Sequence, residues 1–173
     1  MTKVKDKIYS LELKGITKRF PGVLACDSID LCIGENEILA IVGENGAGKT
    51  TLMNILMGLY QPDEGEIRIN GRMIRFRTPN DAFAAGIGMV HQNFMLVPNM
   101  TVAENVALGS KDFHKFLKLD LAGAKKRIRE VSERFGLPVQ PDTYVWQLSV
   151  GEQQRVELIK TLCFGARFLI LDE

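Results

Sequence analysis

No run of about 18 apolar residues occurs in the chain, so nothing in it reads as a membrane-spanning helix. The opening stretch MTKVKDKIYSLEL carries charges but no apolar core behind them, and does not read as a secretory leader. Charge of one sign is lacking too: 22 Lys and Arg stand against 21 Asp and Glu, a net charge of +1. That excludes a broad basic field, and no nucleic-acid partner is expected. Cysteine is scarce. Cys26, Cys32 and Cys163 are odd in number and sit in apolar stretches. They read as small core residues in a reducing compartment, with cytoplasm as the default, rather than as a disulfide framework. Internal repeats and low-complexity tracts are absent.

What is present fits one ordinary α/β domain. The chain has 173 residues, 46% hydrophobic and 25% charged, enough for a sizeable core. Residues 8–14 alternate as a half-buried strand should, and residues 23–33 do so again with Ile29, Leu31 and Ile33 on one face. The apolar run 37–42 (EILAIV) predicts a buried central strand. A Gly-rich turn and a helix over 48–58 follow it. Residues 66–75 predict a hairpin turning at Asn70-Gly71. Pro79 and Gly86 bracket a short helix, and 87–90 read as a short strand. Thr101 with Glu104 three residues on predicts a capping box for a helix over 101–109. Residues 120–135 predict an amphipathic helix with Leu121, Ala124, Ile128, Val131 and Phe135 inward. A further helix is expected over 150–164, then a buried strand over 167–171. The stretch 93–165 is therefore mostly helical and reads as a subdomain inserted into an α/β core of residues 1–92 and 166–173.

Three motifs carry chemistry. Gly43-Glu44-Asn45-Gly46-Ala47-Gly48-Lys49-Thr50 matches G-x-x-x-x-G-K-[ST] residue for residue, with an apolar run before it and a helix after it. Glycines let the backbone curl so that several N–H groups face one anion, and the helix N-terminus adds positive potential. Lys49 is expected to reach the β- and γ-phosphates of a nucleotide and the Thr50 hydroxyl to ligate Mg²⁺, with Thr51 beside it. A chance match is expected in roughly one of 100–200 chains this long, and the context makes it rarer. The second motif, Phe168-Leu169-Ile170-Leu171-Asp172-Glu173, is four apolar residues followed by two acids. Asp172 is expected to hold Mg²⁺ and Glu173 to accept a proton from an attacking water. Alone, the pattern also fits a strand ending at a solvent-facing acidic turn.

The third motif, Leu148-Ser149-Val150-Gly151-Glu152-Gln153-Gln154-Arg155, resembles the L-S-G-G-Q signature of ATP-binding-cassette (ABC) ATPases, although an ordinary Ser-capped helix also fits it. The resemblance covers essentially the whole chain. It implies an ABC-type P-loop NTPase fold: a mixed sheet core, an antiparallel β part and an inserted helical subdomain. It implies ATP and Mg²⁺ as cofactors, with Gln92 sensing the metal and the attacking water. Phe20 is implied to stack on adenine, although a packed surface aromatic fits too, and Ala25 to line the adenine edge. Ser149, Val150, Gly151 and Glu152 would close over the ATP of a second cassette. Val150 and Glu152 stand where the family pattern has Gly and Gln, and Glu152 brings negative charge toward that γ-phosphate. His91 and His114 match no family role.

Stretches such as VGENGAGKTTLMNILMGLYQPDEGEI and MVHQNFMLVPNMTVAENVALG look like the amino-terminal cassette of double-cassette ATPases that power simple-sugar and nucleoside importers. This implies transmembrane permease subunits and, indirectly, a solute-binding protein as partners. It also implies a peripheral place on the cytoplasmic face of the membrane. In that family the chain continues past Asp-Glu to a switch histidine, so an incomplete cassette is expected here, with the base at a frayed end. Two alternatives stay open: a soluble ABC ATPase without a permease, and an ATP-binding fragment without turnover.

Overall fold

The computed structural model describes residues 10–90, 95–109, 113–115 and 118–172. They divide into two units, one up to Ala85 and one from Gly86 onward.

The first unit is built on antiparallel strands. Strand β1 (Leu11–Phe20) pairs with β2 (Val23–Ile33) on one side and β3 (Glu64–Ile69) on the other, and β3 continues to β4 (Arg72–Ile74). The sheet order is β2-β1-β3-β4. Leu11 and Leu13 alternate inward from β1, and Ile67 and Ile69 do the same from β3. The β3–β4 turn is the one expected: Asn70 and Gly71 have φ of 52° and 73°, the pair of positive values that a type I′ hairpin needs. Helix α1 (Lys49–Leu56) buries Leu52, Ile55 and Leu56. Helix α2 (Pro79–Ala84) opens on Thr78, whose capping box with Asp81 complements the Pro at its start.

The second unit holds a parallel pair, β5 (Ile87–Val90) and β8 (Phe168–Leu171), in register from Ile87↔Phe168 to Val90↔Leu171. Three helices build its core: α3 (Val102–Gly109), α4 (Leu121–Phe135) and α5 (Val150–Cys163). Val102, Ala103, Val106, Ile128, Val131, Val156, Ile159 and Cys163 form one buried cluster. Helix α3 carries the expected Thr101–Glu104 box, in which the Glu104 carboxylate accepts from Thr101 N at 2.7 Å and from its Oγ1 at 2.8 Å. Asp120 caps α4 and Gly136 ends it with φ 65°. At Gly88 the face of β5 toward α5 is bare backbone. A Cβ on Gly88 would run into the Thr161 and Ala166 side chains, so only glycine admits this approach.

Several expectations need correction. Residues 37–42 form no strand, and Ile38 and Val42 are 97% and 92% exposed. A buried strand needs ladder partners for its N–H and C=O groups, and no described strand pairs with this run. Strand β1 runs to Phe20, well past Lys14, because register shifts between Leu13 and Arg19 let it keep pairing with β2. Cys32 is exposed on β2, whereas Cys26 and Cys163 are buried. Phe135 is exposed at the end of α4 beneath Arg134, 5.3 Å from the ring centroid. The stretch 93–165 also contains a short antiparallel pair, β6 (His114–Lys115) and β7 (Lys118–Leu119).

Candidate functional site

In the first unit the loop Gly43–Gly48 leads straight into α1. Gly46 and Gly48 have φ of 86° and 89°, left-handed values that glycine adopts without strain. Gly48 is the N-cap of α1 and has no side chain to offer its N–H groups. The first intrahelical bond comes from Leu52 N to Gly48 O at 2.9 Å, so the N–H groups ahead of it point out of the helix start. Lys49 folds back over the loop, its Nζ donating to Gly43 O at 2.5 Å and Glu44 O at 2.9 Å. Ala47 N donates to Glu44 O at 3.1 Å and tightens the same curl. The outcome is a ring of backbone closed by an ammonium group, at the positive end of a helix dipole. Asn45 and Thr50 are exposed, and Thr51 is half-buried on the first turn.

Ala25 is part of this arrangement. Its carbonyl oxygen lies so close to Gly48 that a Cβ there would overlap it, and Cys26 Sγ donates to Gly48 O at 3.9 Å. Phe20 closes β1 and packs edge-on to Tyr60, with centroids 5.4 Å apart and an interplanar angle of 74°. Lys18 Nζ lies 5.6 Å from the Phe20 centroid. Lys18 also donates to Asp63 at 2.9 Å, and Arg19 N donates to the same carboxylate at 2.6 Å. The Lys18 bond first, then the Arg19 N–H, holds the Asp63 carboxyl below its ordinary range. Sequence reasoning missed Tyr60 and Asp63; the signal was only their place in the turn after α1.

In the second unit Asp172 follows β8 directly, and its N–H donates to Val90 O at 3.2 Å, so the parallel ladder runs one residue past Leu171. A half-buried carboxylate therefore stands at the carboxyl end of a parallel strand pair, the end where open α/β sheets take ligands. Gln92 and Glu173 lie outside the described residues. Ser149 is the N-cap of α5. Glu152 turns back on it, accepting from Ser149 N at 2.8 Å and Ser149 Oγ at 2.6 Å. These two bonds, the hydroxyl's first, pull the Glu152 carboxyl below its ordinary value. Val150 is 71% exposed, and a Cβ on Gly151 would meet none of the described residues within 4 Å. Among the described residues no group of three or more His, Cys, Asp or Glu side chains is arranged to hold a metal by itself.

A Gly-rich loop feeding a helix N-terminus, set in an α/β framework, defines a P-loop nucleoside-triphosphatase fold. The family profile described as ABC transporter matches residues 26–173, and the chain belongs to that family. It is 50% identical over 165 residues to the guanosine import ATP-binding protein NupO of Bacillus subtilis (strain 168), covering 95% of this chain and 32% of that one. It is 51% identical over 163 residues to the nucleoside import ATP-binding protein NupA of Lactococcus lactis subsp. cremoris (strain MG1363), covering 94% and 32%. The chain thus spans about a third of the length of these relatives. Its fold is also that of a solved ATP-binding cassette of an ABC transporter in the ADP conformation, with a TM-score of 0.81, 24% identity, and coverage of 95% of this chain and 68% of that one.

Proposed function

We propose that the protein to which this chain belongs binds ATP on Gly43–Thr51, hydrolyses it to ADP and phosphate, and drives a membrane permease that imports nucleosides. The observation that carries this reading is the uncapped start of α1 with the Lys49 ammonium folded over the loop. In this proposal the Gly43, Glu44, Asn45, Gly46, Ala47 and Gly48 backbone cradles the phosphates and Lys49 neutralises the β- and γ-oxygens. Phe20 stacks on adenine, with Ala25 at its edge. The donors available for Mg²⁺ are oxygens throughout: the Thr50 hydroxyl, the Gln92 amide and the Asp172 carboxylate, the hard ligands that this ion takes. Bound there, Mg²⁺ would offset the charge on the phosphates. Glu173 serves as the base that accepts the water's proton.

Catalysis of this kind is positioning and charge stabilisation, and a second cassette, as the family resemblance implies, is proposed to complete the site. Ser149, Val150, Gly151 and Glu152 are proposed to close over that partner's ATP. Gly151 supports this. A helical glycine costs about 1 kcal/mol against alanine, and no described residue crowds the position, so its small size is proposed to serve a contact from outside. Residues 1–92 with 166–173 are proposed as the nucleotide-binding core and 93–165 as the helical subdomain. This subunit is proposed to sit at the cytoplasmic face of the membrane on permease subunits, with a solute-binding protein as an indirect partner. No described helix is long and apolar enough to cross a membrane.

Relatives named for simple-sugar import are also similar, at 42–47% identity, and the higher identity of the two named for guanosine and nucleoside import, 50% and 51%, supports nucleosides over simple sugars. The test is uptake by the full-length protein reconstituted with its permease in proteoliposomes. ATP-dependent guanosine uptake with phosphate release is expected, both lost in Lys49→Ala. Ribose uptake without guanosine uptake would overturn the nucleoside assignment, and phosphate release without any permease association would overturn the transport role.

A further inference from the structure

Helix α5 carries a polar group that its capping and core packing leave unexplained. Glu157 is 4% exposed, on the inner face between Val156 and Ile159. Its carboxylate meets Lys160 Nζ at 2.8 Å, one turn on. Its other oxygen, Oε1, is buried without a hydrogen-bond partner among the described residues. Burying an ion pair costs desolvation that the pair recovers only with full hydrogen bonding, so this one is poorly explained as a source of stability. Lys160 makes a second bond that reaches far along the chain. Its Nζ donates to Met95 O at 3.1 Å, across 65 residues. Two residues on, the same stretch is pinned again: Val97 N donates to Asn105 Oδ1 at 2.7 Å and Asn105 Nδ2 to Val97 O at 3.1 Å.

We infer that Lys160, held by Glu157, is a positioning residue that ties the chain emerging from β5 to the helix headed by Ser149. Met95 stands three residues after Gln92, and Lys160 stands eleven residues after Ser149, about 16 Å along the α5 axis. Through this bridge a shift of the helix moves the Met95 backbone with it. The Glu157 carboxylate fixes the ammonium so that another of its N–H groups reaches the Met95 carbonyl. Lys160 touches neither nucleotide nor metal in this account; it acts through the chain that leads to Gln92. The inference rests on the proposed ATPase reading.

The test uses the full-length protein with its permease and compares wild type, Glu157→Gln/Lys160→Met and Lys160→Arg. The double variant removes both charges together, because Lys160→Met alone would strand a buried carboxylate. The expected result is a kcat for phosphate release lowered about tenfold or more in the double variant, with ATP affinity and Tm unchanged. Lys160→Arg, which keeps the donor and the charge, is expected to restore most of the rate. A double variant that turns over like wild type overturns the inference. So does one in which kcat, ATP affinity and Tm fall together, which marks a purely structural role. A wild-type protein that binds no ATP removes the ATPase reading itself, and that outcome is read before any variant is compared.

Discussion

At the scale of single residues, charge and geometry give Glu152 different meanings. Its sequence position suggests a negative group facing a partner's γ-phosphate. The structure turns its carboxylate onto the Ser149 N–H and hydroxyl, so it also caps its own helix. The signal was there to read: a serine and a glutamate three apart, the same spacing that identifies Thr101 and Glu104. Gly151 yields the sharpest prediction. Gly151→Ala is expected to raise stability by about 0.5–1 kcal/mol, seen as a higher denaturant midpoint, while weakening ATP-driven pairing of cassettes in analytical ultracentrifugation. A variant that pairs normally would remove the outside contact. The cysteines separate equally clearly. Burial pushes the Cys163 thiol up to about 12 and also raises that of Cys26, whereas Cys32 is exposed. Mass mapping after brief alkylation of the native protein is expected to find Cys32 modified and Cys163 untouched.

At the scale of elements, local rules read well and long-range pairing does not. The Asn70-Gly71 hairpin, the Thr101 cap and the buried stripe Ala124, Ile128 and Val131 of α4 follow from turn chemistry and periodicity. The run 37–42 does not become a strand, because apolar character states a preference for burial and names no partner. Phe135 fails for a related reason: it falls in the last turn, where Gly136 ends the helix before the stripe meets packing. In the sequence Gly88 is only one residue of a short strand, yet it sets how closely α5 lies on β5. Gly88→Ala is expected to destabilise the fold by about 1–3 kcal/mol through overpacking, measured as a lower denaturant midpoint.

The caps also give a pH dependence. Glu104 and Glu152 both titrate below their ordinary value of 4.5, chiefly through bonds from Thr101 N–H and the Ser149 hydroxyl respectively. A depressed folded value stabilises above the unfolded one. The contribution is therefore complete above about pH 4.5 and is lost as pH falls through the folded values. Denaturant midpoints are expected to hold steady from pH 7 to 5 and to drop below 4.5, less steeply in Glu104→Gln.

At the scale of the whole molecule, the family was legible because three motifs stand in order along the chain, each with a physical use for its residue types. The phosphate loop alone gives a nucleotide site; the serine-headed helix gives the family. The Glu157–Lys160–Met95 bridge was not legible, since its ends lie 65 residues apart and neither belongs to a motif. The account stands or falls on the loop that opens α1. Calorimetric titration of ATP with Mg²⁺ into the full-length protein and its Lys49→Ala variant tests it most directly. Saturable binding by the wild type, weakened about tenfold or more in the variant, is expected; equal affinity in the two would contradict the assignment of Gly43–Thr51 as the ATP site.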